Sequence, residues 1–127
     1  MDARRTLFAA GLLLALATAL GALGSHALKQ TLQPDRLNIY DTAVRYHFYN
    51  ALGLLAVGIL QRNLDSALLR LTALIILTGL VLFSGSLYLL TFGWTPGTPR
   101  LVGILTPLGG LALIIGWILF AVSVVRP

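Results

Sequence analysis

Two imidazoles, one carboxylate, one guanidinium, an amide and three hydroxyls stand out from an otherwise apolar chain. They are His26, Asp41, Arg45, His47, Asn50, Ser84, Ser86 and Thr106. Imidazole titrates near neutrality and ligates Zn, Cu or Ni. Guanidinium grips carboxylates and phosphates through a planar fork of donors. A serine beside an oriented His and Asp is the pattern of a hydrolytic nucleophile. The rest of the sequence limits these chemistries. The chain has no Cys and no Glu, so two His and a neighbouring Asp make an incomplete metal site, and neither a metal nor a cofactor is expected. Ser84 or Ser86 can be drawn with His47 and Asp41, but neither sits in a nucleophile-elbow motif. No phosphate loop or dinucleotide fingerprint occurs, and no enzymatic activity is expected. What remains is a candidate ligand-binding cluster, in which Arg45 meets negative charge and the imidazoles titrate or hydrogen-bond.

Helices must position these groups, because four long apolar stretches occupy most of the 127 residues. A spanning helix needs roughly 20 mostly apolar residues, and only helices or closed barrels satisfy every backbone group in lipid. The runs lack the period-two alternation of a barrel strand. The expected fold is all-α: an integral membrane four-helix transmembrane bundle. It forms one domain, with helices near 7–28, 36–60, 68–90 and 101–125 and a short interfacial lead-in to helix two. Residues Arg4 and Arg5 followed by an apolar run and Ala17–Ala19 resemble a signal peptide. That run continues to Leu28, longer than a usual signal segment, so a retained first helix is expected.

Local patterns add detail. Gly11, Ala15, Ala19 and Ala22 on helix one, followed by Gly21 and Gly24, are spaced for close helix packing. Pro34 with Asp35 fits a helix start. Asp41 and Arg45 are four apart and can pair. Thr72, Gly79 and Ser86 recur every seven residues, as do Gly109 and Gly116, and Gly103 and Gly110, which gives seams of small residues. Trp94 reads as an interfacial anchor and Pro96-Gly97 as a turn, while Pro107 is expected to kink helix four. Trp117 is expected low in the bundle or against lipid. Tyr46, Tyr49 and Tyr88 fit an interfacial aromatic belt, and Asn50 and Thr106 fit interhelical hydrogen-bonders.

In an up-down bundle the candidate residues fall at one membrane level, opposite the termini. At 100° per residue, Asp41, Arg45, Phe48 and Leu52 share one face of helix two. Ala43, His47, Asn50 and Leu54 share another. Polarity runs all the way round Asp41–Asn50, and such a segment cannot be bathed in hydrocarbon.

The net charge of +5 does not point to nucleic acid, since the basic residues lie at helix ends and in loops without a basic, aromatic-interleaved stripe. Membrane lipids are the expected partners, with a homo-oligomer or a partner membrane protein as further candidates. Arg4, Arg5, Arg62, Arg70 and Arg126 fall on the side of the termini, and Lys29, Arg36, Arg45 and Arg100 on the other. The arginine pair before helix one tips the reading to cytoplasmic termini in a bacterial inner membrane.

Four segments together carry a family resemblance: GALGSHALK at 21–29, YDTAVRYHFYNAL at 40–52, LFSGSLYLL at 82–90, and LTPLGG at 105–110 with Gly116 and Trp117. The chain resembles the small bacterial membrane proteins of the domain-of-unknown-function 423 family. The resemblance implies a four-helix inner-membrane protein and brings no activity, substrate or cofactor. Where such sequences often carry His, this one has Asn50, which counts against a site needing a third imidazole. Binding or translocation of a small polar or lipid-headgroup ligand is the leading expectation. A structural or accessory subunit, or a homo-oligomer with no ligand of its own, is the alternative.

Overall fold

A computed structural model describes residues 1–92 and 100–126, and of residues 100 and 101 the backbone only. The expected Trp94 anchor and Pro96-Gly97 turn lie outside the described residues, as does the Arg100 side chain. Helix α1 spans Ala3–Leu23, passes without a break through a π turn at Gly24–Leu28 and closes with Lys29–Thr31. It is followed by α2 (Pro34–Gln61), α3 (Ala67–Thr91) and α4 (Arg100–Val125). All four are long and apolar enough to cross a membrane.

The helix ends follow from local chemistry. The Asp2 side chain caps α1 by accepting the Arg5 N–H at 2.9 Å, which satisfies a donor that the first turn leaves open. Pro34 opens α2 with Asp35 in its first turn, where the ring costs no hydrogen bond and the carboxylate meets the positive end of the helix. Ser66 caps α3. The lead-in to helix two is continuous with it, so Asp41–Asn50 belong to one 28-residue helix. Likewise α4 runs through Pro107 as a single element.

The extensive interfaces are α1 with α2, α2 with α3, and α3 with α4. The N-terminus reaches the first turn of α3, where the Met1 ammonium donates to the Arg70 carbonyl at 3.2 Å. Trp117 of α4 reaches Asn50 of α2. The pair α2/α3 is therefore the centre, with α1 and α4 on opposite flanks. The shared core is Ala10, Ala51, Leu54, Val57, Leu69, Ala73, Ile76, Leu80 and Leu113. Phe8, Leu12, Ile59, Val81, Leu111, Ile114 and Ile118 point outward, as expected where the solvent is hydrocarbon. The least apolar helix, α2, is also the one whose spanning window is most buried. In lipid it is polarity, more than hydrophobicity, that is driven inside.

Small residues set the close approaches. Thr72, Gly79 and Ser86 are all buried, as the seven-residue spacing predicts. A Cβ at Gly79 would stand 2.9 Å from the Leu113 amide of α4, and one at Gly109 would run into the backbone of Phe83. At Gly116 it would press on Ile76. The Gly103/Gly110 pair makes no such approach among the described residues: none of them lies near a Cβ at Gly103, and one at Gly110 has ordinary contacts. On α1 the expected seam holds only at its far end, where Gly24 is buried and Gly21 half-buried, while Gly11, Ala15, Ala19 and Ala22 are exposed. Before that end the docking face is instead Thr6, Ala10 and Ala17, all buried. The reason lies in what α2 presents: Gly58 receives Thr6 and Leu7, and the Tyr40 ring fills the space over Gly24.

Candidate functional site

The eight candidate residues do lie toward the end of the bundle opposite the termini, but they do not form one site. The division follows the surface of α2. Ala43, His47, Asn50 and Leu54 are buried, whereas Asp41, Arg45 and Leu52 are exposed.

The buried set is a series of interhelical hydrogen bonds. His47 is 2% exposed, and its Nδ1 lies 2.8 Å from the Tyr88 hydroxyl of α3. Ser84 of α3 donates to the Ala43 carbonyl of α2 at 2.9 Å. Ser86 pairs with Thr106 of α4 at 2.6 Å, and also donates to its own-helix carbonyl of Phe83. Asn50 accepts the Trp117 indole N–H at 2.9 Å and donates to the Tyr46 carbonyl at 2.9 Å. A slot over Gly53 receives the indole, since a Cβ there would overlap its ring. Trp117 is thus a cross-helix donor, half-buried in the bundle. Tyr88 likewise leaves the aromatic belt to bond His47, while Tyr46 and Tyr49 stay exposed. The Ser84 proton is committed to a backbone carbonyl and not to His47. One atom of this set stands apart: among the described residues His47 Nε2 is buried without a hydrogen-bond partner.

The exposed set borders a groove of about 580 Å³ between α1 and α2. Its polar and charged lining is Ser25, Lys29, Tyr40, Asp41 and Arg45, over a floor that includes Gly21, Gly24, Leu37 and Val44. The π turn shapes it. The Tyr40 ring lies against Gly24, and its hydroxyl donates to the Leu20 carbonyl. Leu20 sits one turn before Gly24 and its carbonyl also accepts the Gly24 N–H, so Tyr40 ties α2 to α1 just before the helix widens. The expected Asp41–Arg45 ion pair does not form among the described residues. Both side chains are exposed, and an exposed pair gains little over solvation of the separate charges. His26 is exposed on the π turn, with no hydrogen bond or ring contact to His47. Among the described residues no three potential metal ligands converge.

Sequence reasoning passed over Lys29, Ser25 and Tyr40 as site residues. Lys29 was readable only as a helix-end charge, and Tyr40 becomes a groove wall only because α1 and α2 are antiparallel. A second groove, about 760 Å³, runs between α2 and α4. Tyr46, Phe83, Leu113, Ile114 and Trp117 are among its walls, and it faces outward with an apolar lining suited to hydrocarbon.

Comparisons with known proteins add the context. The sequence profile of the family described as "Protein of unknown function (DUF423)" matches residues 20–110. The "UPF0382 membrane protein YwdK" of Bacillus subtilis (strain 168) is 41% identical over 112 residues, covering 87% of this chain and 88% of that protein. A "UPF0382 membrane protein" of Haemophilus influenzae is 37% identical over 103 residues, 81% and 79% of the two chains. The "UPF0382 inner membrane protein YgdD" of Escherichia coli (strain K12) is 32% identical over 108 residues, 85% and 79% of the two chains. No solved structure matches the chain.

Proposed function

This chain belongs to the DUF423 family and is an integral membrane protein, and from that premise we propose that it is a non-enzymatic protein that binds phospholipid headgroups in the groove between α1 and α2. The observation that carries this reading is the placement of Lys29, Arg45, Asp41 and Ser25 around one open groove. Depth supports a lipid over a soluble ligand. A hydrocarbon core of about 30 Å takes about 20 helical residues. Counted back along α2 from the polar turn at Gln61, that places Asp41 at the far boundary and Arg45 about 6 Å inside it. The headgroup region begins at this boundary, and Arg45 reaches it by extending its side chain along the helix.

The protein is proposed to reside in the bacterial inner membrane, as the name of the Escherichia coli relative says of that protein. Its termini are proposed to be cytoplasmic. Arg4 and Arg62 line one shallow pocket near the N-terminus, and Met1 bonds Arg70, so basic residues gather at that end. The groove then opens to the outer leaflet.

A second reading, that of a structural subunit or homo-oligomer, is favoured by the buried set. Its side chains mostly bond one another or backbone carbonyls, which locks helices without a ligand. Native mass spectrometry of protein released gently from its own membrane separates the two. Retained phospholipid that falls away in Arg45→Ala supports the groove. A lipid-free oligomer, or a complex with another membrane protein, supports the structural reading.

A further inference from the structure

The groove has charges of both signs, and this selects among headgroups. Resting on the headgroup reading above, we infer that the ligand is a zwitterionic phospholipid with a primary ammonium, a phosphoethanolamine headgroup. Its phosphate lies between Lys29 and Arg45, and its ammonium at Asp41.

Three observations carry the assignment. Lys29 comes from the end of α1 and Arg45 from α2, so the two cations stand on opposite walls of one groove. A phosphate diester placed between them accepts from both an ammonium and a guanidinium fork, the strong, charge-assisted kind of hydrogen bond. Asp41 lies one helical turn from Arg45, on the same wall and toward the start of α2. The register of the two helices, with Gly24 beside Tyr40 and Gly21 beside Val44, carries Lys29 farther toward that start than Asp41, so the carboxylate lies between the two cations in depth, level with a phosphate they share and within reach of the same headgroup's ammonium. A carboxylate there attracts an ammonium and repels a second anion, so it disfavours headgroups whose charge is only negative. Ser25 of the π turn keeps its hydroxyl on the Gly21 carbonyl at 3.2 Å, which leaves its oxygen as a further acceptor at the rim. A primary ammonium has three N–H donors for these acceptors, and a quaternary one has none.

The test uses the purified full chain in mild detergent, titrated with phosphatidylethanolamine, phosphatidylcholine and phosphatidylglycerol of identical acyl chains, with bound lipid counted by native mass spectrometry. The ethanolamine lipid is expected to bind about tenfold more tightly than either of the others, which corresponds to about 1.4 kcal/mol. Asp41→Asn should remove the preference over phosphatidylglycerol, and Asp41→Glu should restore much of it. Arg45→Ala should weaken both lipids. Equal affinities for the three lipids in the wild-type protein, or a preference for phosphatidylglycerol, would overturn the ethanolamine assignment. The headgroup groove itself would stand so long as Arg45→Ala still weakened binding. Wild-type, Lys29→Ala and Arg45→Ala proteins that all retain the same lipid equally would overturn both. The wild-type comparison of lipids needs no variant to fold, and all three substituted side chains are exposed.

Discussion

Two polar regions share the same half of α2 and settle the cost of polarity in lipid by opposite means. On the buried face, His47, Asn50, Ser84, Ser86 and Thr106 bond across helices or to backbone carbonyls. On the other face, Lys29, Asp41 and Arg45 remain outside the packed core around an open groove. In hydrocarbon a polar group must find a partner, and the partner comes either from the protein or from the interface. A region of the first kind confers structure, and one of the second kind is available to a ligand. Hydroxyls occur in both, in Ser25 and Tyr40 at the groove and in Ser84, Ser86 and Thr106 in the core, so a hydroxyl by itself does not tell the two apart.

Substitutions can break this contrast. The largest effect is expected from Asn50→Leu, which deprives the Trp117 N–H of its acceptor and loads the tight contact over Gly53. It should cost about 1–3 kcal/mol, the range for a buried donor left unsatisfied. Thermal unfolding in lipid-free detergent measures this, and an unchanged midpoint would mean that the buried set is not a lock. Ser84→Ala should cost less, about 1 kcal/mol, because the Ala43 carbonyl keeps its helical partner and single bonds between membrane helices are modest. For the Ser86–Thr106 pair the two single changes, Ser86→Ala and Thr106→Val, should together exceed the double change by about 0.5–1 kcal/mol. Strict additivity would show that the 2.6 Å contact contributes nothing of its own. The smallest stability effect belongs to Arg45→Ala, whose midpoint in lipid-free detergent should match the wild type while stabilisation by added phospholipid is lost. A large drop without lipid would place Arg45 in the structural region and erase the distinction.

Much of the fold was legible because lipid imposes a strict rule on sequence. Each span must be an apolar run of about 20 residues, and four such runs leave little choice of class. Local chemistry marked the start of α2 at Pro34 and Asp35, and heptad spacing marked the buried Thr72–Gly79–Ser86 seam. The helical projection of α2 already separated the Asp41/Arg45 face from the His47/Asn50 face. Grouping all eight residues by membrane level then merged what the projection had parted. Depth along the membrane is shared by every face of a helix, so it carries no information about which groups meet.

Other features had no local signal. Two sets of small residues on α1 compete for the packing face, and the choice of Ala10 and Ala17 over Gly11, Ala15 and Ala22 depends on another helix, where Gly58 receives Thr6 and Leu7. The Tyr40 bond to Leu20 exists only once α1 and α2 dock. The indole of Trp117 is as apolar as a lipid anchor until Gly53 and Asn50 arrive opposite it, 67 positions away from the amide that it bonds. The sequence by itself determined that the chain spans a membrane four times and at which level its polar groups lie, because those follow from transfer of each segment into hydrocarbon. Which polar groups satisfy one another and which face a groove was decided only by the tertiary structure, because hydrogen bonds are short and directional and depend on how neighbouring helices are rotated.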